Sequence, residues 1–319
     1  MCPLWWIHLG LPARMHHPRL SHWTVFILIS LTWGSSFILM KLGMEHETHG
    51  KVFSAAQVAA FRLSMGGLVM LPLCYAALRT IKRSDWKWLA IVGFVGSGIP
   101  AFCFTTAETY LDSAATGILN SLTPLFTLLI GTFVFQKPAR PRQVVGILLG
   151  LAGAVSLISL NGFGDGNNWA YSMLVVGATV CYGLSINTIG YRLRHLKALH
   201  ITAVSLVMVG LPSMVYVLMG DGLTVLREHP AGTEAFGYIV ILAIVGTAGA
   251  AFAYFWLAHS AGVLFASSVA YAMPIVAVAW GLRRHEALTV WHLLCGMVIL
   301  CGVYLVNRAS AARTASREK

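Results

Sequence analysis

Asn120, Ser121, Thr123 and Pro124 interrupt the apolar run "GILNSLTPLFTLLIG" between Gly117 and Gly131. Ser267, Ser268, Tyr271 and Pro274 interrupt "FASSVAYAMPIVAVAWG", Phe265 to Gly281, in the same way. Hydroxyl, amide and phenol groups in apolar surroundings can bind a polar solute, because hydrocarbon offers them no hydrogen-bond partner. Each proline also removes a backbone N–H and clashes with the carbonyl four residues earlier, that of Asn120 or Ala270, and the freed groups must face protein or water. Trp33 and Ser36, with Gly34 and Ser35 between them, form a third polar interruption, and Tyr182, Ser185 and Asn187 a fourth. Arg62 is the one formal charge clearly inside an apolar run, about nine residues from its start and so roughly 13 Å deep at 1.5 Å per residue.

The same search finds little that could do covalent chemistry. "GFGD", Gly162 to Asp165, has the form GxGD of an intramembrane aspartyl protease, but that reaction needs two carboxylates sharing a site. Asp165 stands among Asn161, Gly166, Asn167 and Asn168 and reads as a turn. HExxH, P-loop and nucleophile-elbow patterns are absent from the chain. His16 with His17, and His46 with His49, lack the cysteine or carboxylate spacing of a metal site. The six cysteines form no CxxC pair and five lie in apolar runs, where they read as small hydrophobes. No enzymatic activity, cofactor or metal is expected.

The elements that must position these residues follow from composition. Of 319 residues 57% are hydrophobic and 10% charged, with a mean hydropathy of +0.74, against about 25% charged in soluble domains. A membrane span needs roughly 20 apolar residues. Candidate spans run from Trp23 to Leu42, Ser54 to Leu78, Trp88 to Thr106, Ala114 to Phe135, Val144 to Leu160, Ala170 to Ile189, Ile201 to Met219, Gly237 to Leu257, Val263 to Leu282 and Val290 to Val306. The connections are too short for a soluble domain, so the chemistry must sit within the membrane. The expected fold class is an all-α membrane protein of ten transmembrane helices.

A net charge of +11 could suggest nucleic acid, but the basic residues are distributed by topology. With the N-terminus in the cytoplasm, sixteen Lys and Arg fall inside, among them Arg79, Lys82, Arg83, Arg140, Arg142, Arg192 and Arg194, and five outside: Lys41, Lys51, Arg227, Arg283 and Arg284. This satisfies the positive-inside rule with both termini cytoplasmic, and no nucleic-acid partner is expected. The segment before the first span lacks the features of a signal peptide, and Met15 is a candidate start.

An offset near 150 brings the halves into register: Pro124 on Pro274, Gly131 on Gly281, Gly146 on Gly296, Gly96 on Gly246. At an offset of 149, Gly34 falls on Gly183, Ser36 on Ser185 and Trp33 opposite Tyr182. Five helices per half is an odd number, so the second half enters the membrane the other way up. Two inverted five-helix repeats of this kind can alternate in opening to either side, with substrate bound between them near the midplane. The expected divisions are an N-terminal cytoplasmic segment (1–21), a first repeat (22–160), a second repeat (169–307) and a basic tail (308–319).

The residues "LTWGSSFILMKLG", "QVAAFRLSMGGLVMLPL", "SLTPLFTLLIGTFVFQKPARPRQVVGILLGLAGAVSL" and "MPIVAVAWGLRRHEALTVWHLLCGMVILCGVYLV", together with the duplication, resemble an EamA-type member of the drug/metabolite transporter superfamily. The resemblance covers about His22 to Asn307. It implies a ten-helix carrier of small organic solutes, typically amino acids or other metabolites and often exported, in the bacterial inner membrane. Arg62 resembles the arginine common in that family's second helix. The acidic residue usual after the fourth helix is Gln136 here, while Glu286 keeps it after the ninth.

Each polar residue has two readings. Trp33, Ser36, Tyr182 and Tyr271 either line a substrate cavity or serve helix packing. Asn120, Thr123 and Asn187 either face the cavity or bond between helices. Arg62 either contacts an anion or anchors the helix, and Pro124 and Pro274 either gate the site or are plain kinks. The expected partners are a small-molecule substrate and the lipid bilayer, with a homodimer as a further option. A multidrug efflux carrier and a non-transporting scaffold or sensor are the alternatives to a metabolite exporter.

Overall fold

The computed structural model describes residues 20–136, 139–160, 168–261, 265–266, 268–286 and 288–315. Met15, the His16–His17 pair and the Gly162 to Asp165 turn lie outside them. Eight helices among the described residues are long and apolar enough to cross a membrane: α1 (Leu20–Met44), α2 (Ala55–Leu78), α3 (Arg83–Glu108), α4 (Ser113–Phe133), α5 (Pro141–Leu160), α6 (Trp169–Arg192), α7 (Ala198–Met219) and α8 (Gly232–Tyr254). Two shorter apolar helices follow, α9 (Val269–Arg283) and α10 (Val290–Val306). The α1–α2 connection carries a minimal hairpin, Glu45–His46 against Gly50–Lys51.

Hydrocarbon offers no partners to backbone groups, so helix ends and interruptions must satisfy their own. At the start of α2, Ser54 Oγ accepts from Gln57 N at 3.2 Å while Gln57 Oε1 accepts from Ser54 N at 2.7 Å, a reciprocal cap. The Gln57 amide also donates to Asp221 Oδ1 at 2.6 Å, fixing this end to the α7–α8 connection.

The helices meet through small residues, as close approach between apolar helices in lipid requires. A Cβ on Gly67 would lie 3.0 Å from Gly210 Cα, so α2 and α7 touch backbone to backbone. A Cβ on Gly146 would lie 2.7 Å from the Gly302 carbonyl oxygen, where α5 meets α10. Gly34 of α1 abuts Met273 and Val276 of α9, and Gly183 of α6 abuts Phe126 and Thr127 of α4. The helix contacts map onto one another when α1 to α5 are exchanged for α6 to α10: α1 with α9 answers α6 with α4, and α1 with α8 answers α6 with α3.

Several places depart from straight α-helix, among them single turns at Ser35 in α1 and at Ser268 before α9. Phe94–Gly98 in α3 and Ile244–Gly249 in α8 are π-helical turns, a feature frequent at functional sites because it leaves carbonyls unpaired. A further turn at Ser121 and Leu122 breaks α4, which restarts at Thr123. Pro124 stands in the first turn of the restarted helix, where a missing N–H leaves nothing unsatisfied. The Asn120 carbonyl that it frees accepts from Thr123 Oγ1 at 2.8 Å, and Ser121 Oγ covers the Ile118 carbonyl at 2.6 Å. Pro274 lies inside α9, which starts at Val269 after a turn at Ser268 whose Oγ donates to the Phe265 carbonyl at 2.6 Å. Each proline thus follows a turn whose serine hydroxyl donates to a carbonyl three residues earlier, Pro124 three residues after Ser121 and Pro274 six after Ser268.

A Cβ at position 183 would fall 2.9 Å from Phe126 C and Thr127 N, backbone atoms that cannot swing aside, whereas nothing lies within 4 Å of one at 177 in the same helix. Gly183→Ala is expected to destabilise the fold by about 1–3 kcal/mol, and Gly177→Ala to leave it unchanged or slightly stabler. Thermal unfolding of the two variants in detergent compares them directly.

Candidate functional site

A narrow cavity lies among α1, α2, α3, α4, α6, α7, α8 and α9. Helix α1 contributes Trp33, Ser36, Phe37 and Met40, and α2 contributes Arg62 and Leu63. Gly96, Ser97 and Gly246, Thr247 come from the two π-turns, and Phe104, Asn120, Tyr182, Leu206 and Met273 complete the larger side chains. Of the residues singled out in the sequence, Trp33, Ser36, Arg62, Asn120 and Tyr182 meet here.

The others are used nearby to hold helices. Thr123 is buried and caps the Asn120 carbonyl. Asn187 donates to Thr127 O at 2.8 Å and Gly183 O at 2.9 Å, which ties α6 to the lower half of the broken α4. Tyr271 donates its hydroxyl to Val303 O of α10 at 3.3 Å. Neither Asn187 nor Tyr271 lines the cavity.

Within the cavity the polar groups differ in how far they are satisfied. Trp33 Nε1 donates to the Gly246 carbonyl at 3.0 Å, engaging an oxygen of the α8 π-turn. Ser36 Oγ donates to the Thr32 carbonyl at 3.1 Å. The Tyr182 ring stacks on Phe104 with centroids 5.9 Å apart. Arg62 Nη1 points at the Met40 thioether, 3.7 Å away, a weak acceptor. The Asn120 side-chain oxygen is buried with no hydrogen-bond partner among the described residues.

The π-turn glycines, Ser97, Thr247, Phe104 and Met273 escaped the sequence reading as site residues. Gly96 on Gly246 at an offset of 150 was the available signal, and it pointed to a backbone feature, not to a ligand group. A second cavity shares Gly96, Ser97, Tyr182 and Leu206 with the first and continues past Ser185 to Ile189 and Ile201, toward the α6–α7 connection. In the opposite direction Phe37, Met40, Val58, Ile239 and Leu242 are all buried and close the path.

Beyond that plug sits a group of charges at the α3–α4 and α9–α10 connections. Glu286 accepts from the Ser113 and Ala114 backbone N–H groups at 3.1 and 3.2 Å, so a carboxylate from the α9–α10 connection caps α4. Lys41 Nζ lies 3.6 Å from Glu286 and 3.8 Å from Asp112. Burial pushes the Asp112 carboxyl above its ordinary range and the Glu286 carboxylate adds to this, with Lys41 and His292 opposing. Glu108, a helix-end acid by sequence, is buried and accepts from Ser113 Oγ at 2.9 Å. Gln136, opposite the Glu286 region in the repeat, is exposed and carries a left-handed backbone, φ 52°, as His285 does at φ 55°. Both turns leave a proline-bearing helix in the same way, while only the second supplies a carboxylate.

The model of the EamA-like transporter family matches the chain twice, over residues 22–159 and 169–308. The chain belongs to that family. Among its relatives, the "Uncharacterized inner membrane transporter YedA" of Escherichia coli (strain K12) is 27% identical over 257 residues, covering 79% of this chain and 78% of the relative. The "Uncharacterized transporter YoaV" of Bacillus subtilis (strain 168) is 21% identical, covering 88% and 94%. The "Probable amino-acid metabolite efflux pump" of Salmonella typhimurium (strain LT2) is 25% identical over 141 residues, 43% of each chain. A solved structure titled "Crystal structure of protein" has the same fold, with a TM-score of 0.56 at 18% identity over 90% of this chain and 96% of that one.

Glu286→Ala would strip the cap from α4 and leave two N–H groups facing apolar surroundings. A loss of about 1–2 kcal/mol in thermal unfolding is expected. Asp112→Asn, which relieves a carboxyl crowded by Glu286, should leave stability at neutral pH unchanged or higher. An equal loss in both variants would contradict the assignment of Glu286 as the cap.

Proposed function

We propose that this protein is a secondary transporter that exports small organic metabolites such as amino acids across the bacterial inner membrane by alternating access. Ten spans form two inverted five-helix halves in this reading, with both termini in the cytoplasm. The observation that carries it is the matched lining of the central cavity: Trp33 and Tyr182, Gly96 and Gly246, Ser97 and Thr247 stand at equivalent positions of the two halves. A site built from equivalent residues can be presented to either side by exchanging the conformations of the halves.

The ends of the bundle support the same reading. His46 Nε2 lies 3.3 Å from Glu234 Oε2, linking the α1–α2 connection to the start of α8. His195 Nε2 lies 3.0 Å from Asp85 Oδ2, linking the α6–α7 connection to the start of α3. His195 follows His46 by 149 residues and Glu234 follows Asp85 by 149, so the two links are counterparts at opposite ends. Each joins the first half to the second, as a latch on one side of an alternating carrier would. The plugged end bears the connections assigned to the outside by the Lys and Arg distribution, and the second cavity runs toward the cytoplasmic end; both links are made in this state, so opening to either side requires one of them to part. The name of the Salmonella relative supports amino-acid metabolites and efflux.

Counterflow in proteoliposomes with a panel of labelled amino acids and small metabolites tests the reading. Cysteines placed at 46 and 234, or at 85 and 195, and joined by a short reducible crosslinker should each arrest flux, with recovery on reduction. Full flux through both crosslinked forms would sink alternating access. Absence of flux for the whole panel from folded protein would favour the scaffold reading.

A further inference from the structure

We infer that the substrate is an organic acid whose carboxylate docks on Arg62 and whose N–H or O–H donor meets the Asn120 side-chain oxygen. This rests on the carrier reading above and narrows it. Arg62 is the only charged side chain among the residues lining the cavity, and no carboxylate lines it. Among the described residues its hydrogen-bond partner is the Met40 thioether at 3.7 Å, and it makes no ion pair. An arginine held inside a membrane protein ordinarily pairs with an acid or with backbone carbonyls; here the partner position is open. The planar fork of a guanidinium matches a carboxylate in two parallel hydrogen bonds.

The second pole has the opposite character. The Asn120 oxygen is a buried acceptor without a donor, and it stands on the turn that breaks α4, one residue before Ser121. Asn120 and Arg62 are also where the halves stop matching: at an offset of 150 Asn120 falls on Ala270, and the second half places Leu206 in the cavity but no cation. The duplicated scaffold thus makes a nearly symmetric chamber, and its first half alone supplies the charge and the free amide oxygen. The same cavity is lined by Trp33, Phe37 and Phe104, with the Trp33 N–H already held by Gly246, so these rings offer apolar faces to the body of the solute. A permeant cation would meet a like charge with no anion to offset it.

The test uses four phenyl compounds that differ only in their polar ends: phenylalanine, 3-phenylpropionate, phenylalanine methyl ester and phenethylamine. Each competes with labelled phenylalanine in proteoliposomes carrying the native chain, Arg62→Gln, Arg62→Lys or Asn120→Asp, with melting curves reporting folding. The two acids should compete, with phenylalanine the stronger, and the ester and amine should be at least roughly thirtyfold weaker. Arg62→Gln should abolish the preference for acids and Arg62→Lys should keep part of it. Asn120→Asp, which puts a carboxylate into the chamber, should weaken both acids and admit phenethylamine. Uptake with the amine or ester competing as well as the acids, or acid preference intact in folded Arg62→Gln, would overturn the assignment while leaving a carrier. No protein-dependent uptake of labelled phenylalanine, and no shift in melting with either acid, would overturn the assignment; flux of other solutes in the panel would then show whether the carrier reading stands.

Discussion

Every backbone polar group in this bundle must find its partner without help from solvent, and that constraint decides where irregular structure can exist. A break in α4 is sustained because Thr123 and Ser121 turn their hydroxyls onto the carbonyls it exposes. The π-turn in α8 is sustained in part because the Trp33 indole reaches across from α1 to one of its carbonyls. These irregular places gather at one point in the molecule, around the central cavity. The site is where the protein can satisfy, from neighbouring helices, groups that a regular helix would have satisfied alone.

The same economy shapes the charged end. Glu286 serves at once as helix cap for α4, neighbour of Lys41 and closing contact between the α9–α10 connection and the other half. The apolar plug beneath it, Phe37, Met40, Ile239 and Leu242, is packed from both halves. A solute in the cavity is therefore separated from that end by a hydrophobic layer and then by an ionic one, while the continuing space lies toward Ile189 and Ile201.

Most of the helical frame was legible in the sequence because long apolar runs bounded by charge allow few alternatives. The residues that converge on the cavity were legible in part, for the same reason: Trp33, Arg62, Asn120 and Tyr182 are polar or aromatic where lipid would reject them. What escaped was the division of labour among similar residues. Asn120 and Asn187 look alike in sequence, yet one amide is bonded to two carbonyls and the oxygen of the other is bare. Pro124 and Pro274 match in register, yet Pro124 stands in the first turn of its restarted helix and Pro274 deeper inside its own. The π-turns have no composition of their own; they follow from how α3 and α8 pack, which no local pattern records. Glu108 was legible as a helix end but not as a buried acid, since its burial depends on packing against the start of α4, where Ser113 donates to it.

The glycine contacts carry a consequence for the history of such a chain. Gly67 touches Gly210, and Gly146 touches Gly302, so residues of one half rest directly on residues of the other. After a duplication, each copy becomes the environment in which the other is selected: a side chain gained at either member of a contact is felt at once by both. Drift is then freest where a helix faces lipid, and restrained along the seams where the copies meet. A chain built this way can lose nearly all identity between its halves and still keep them in register.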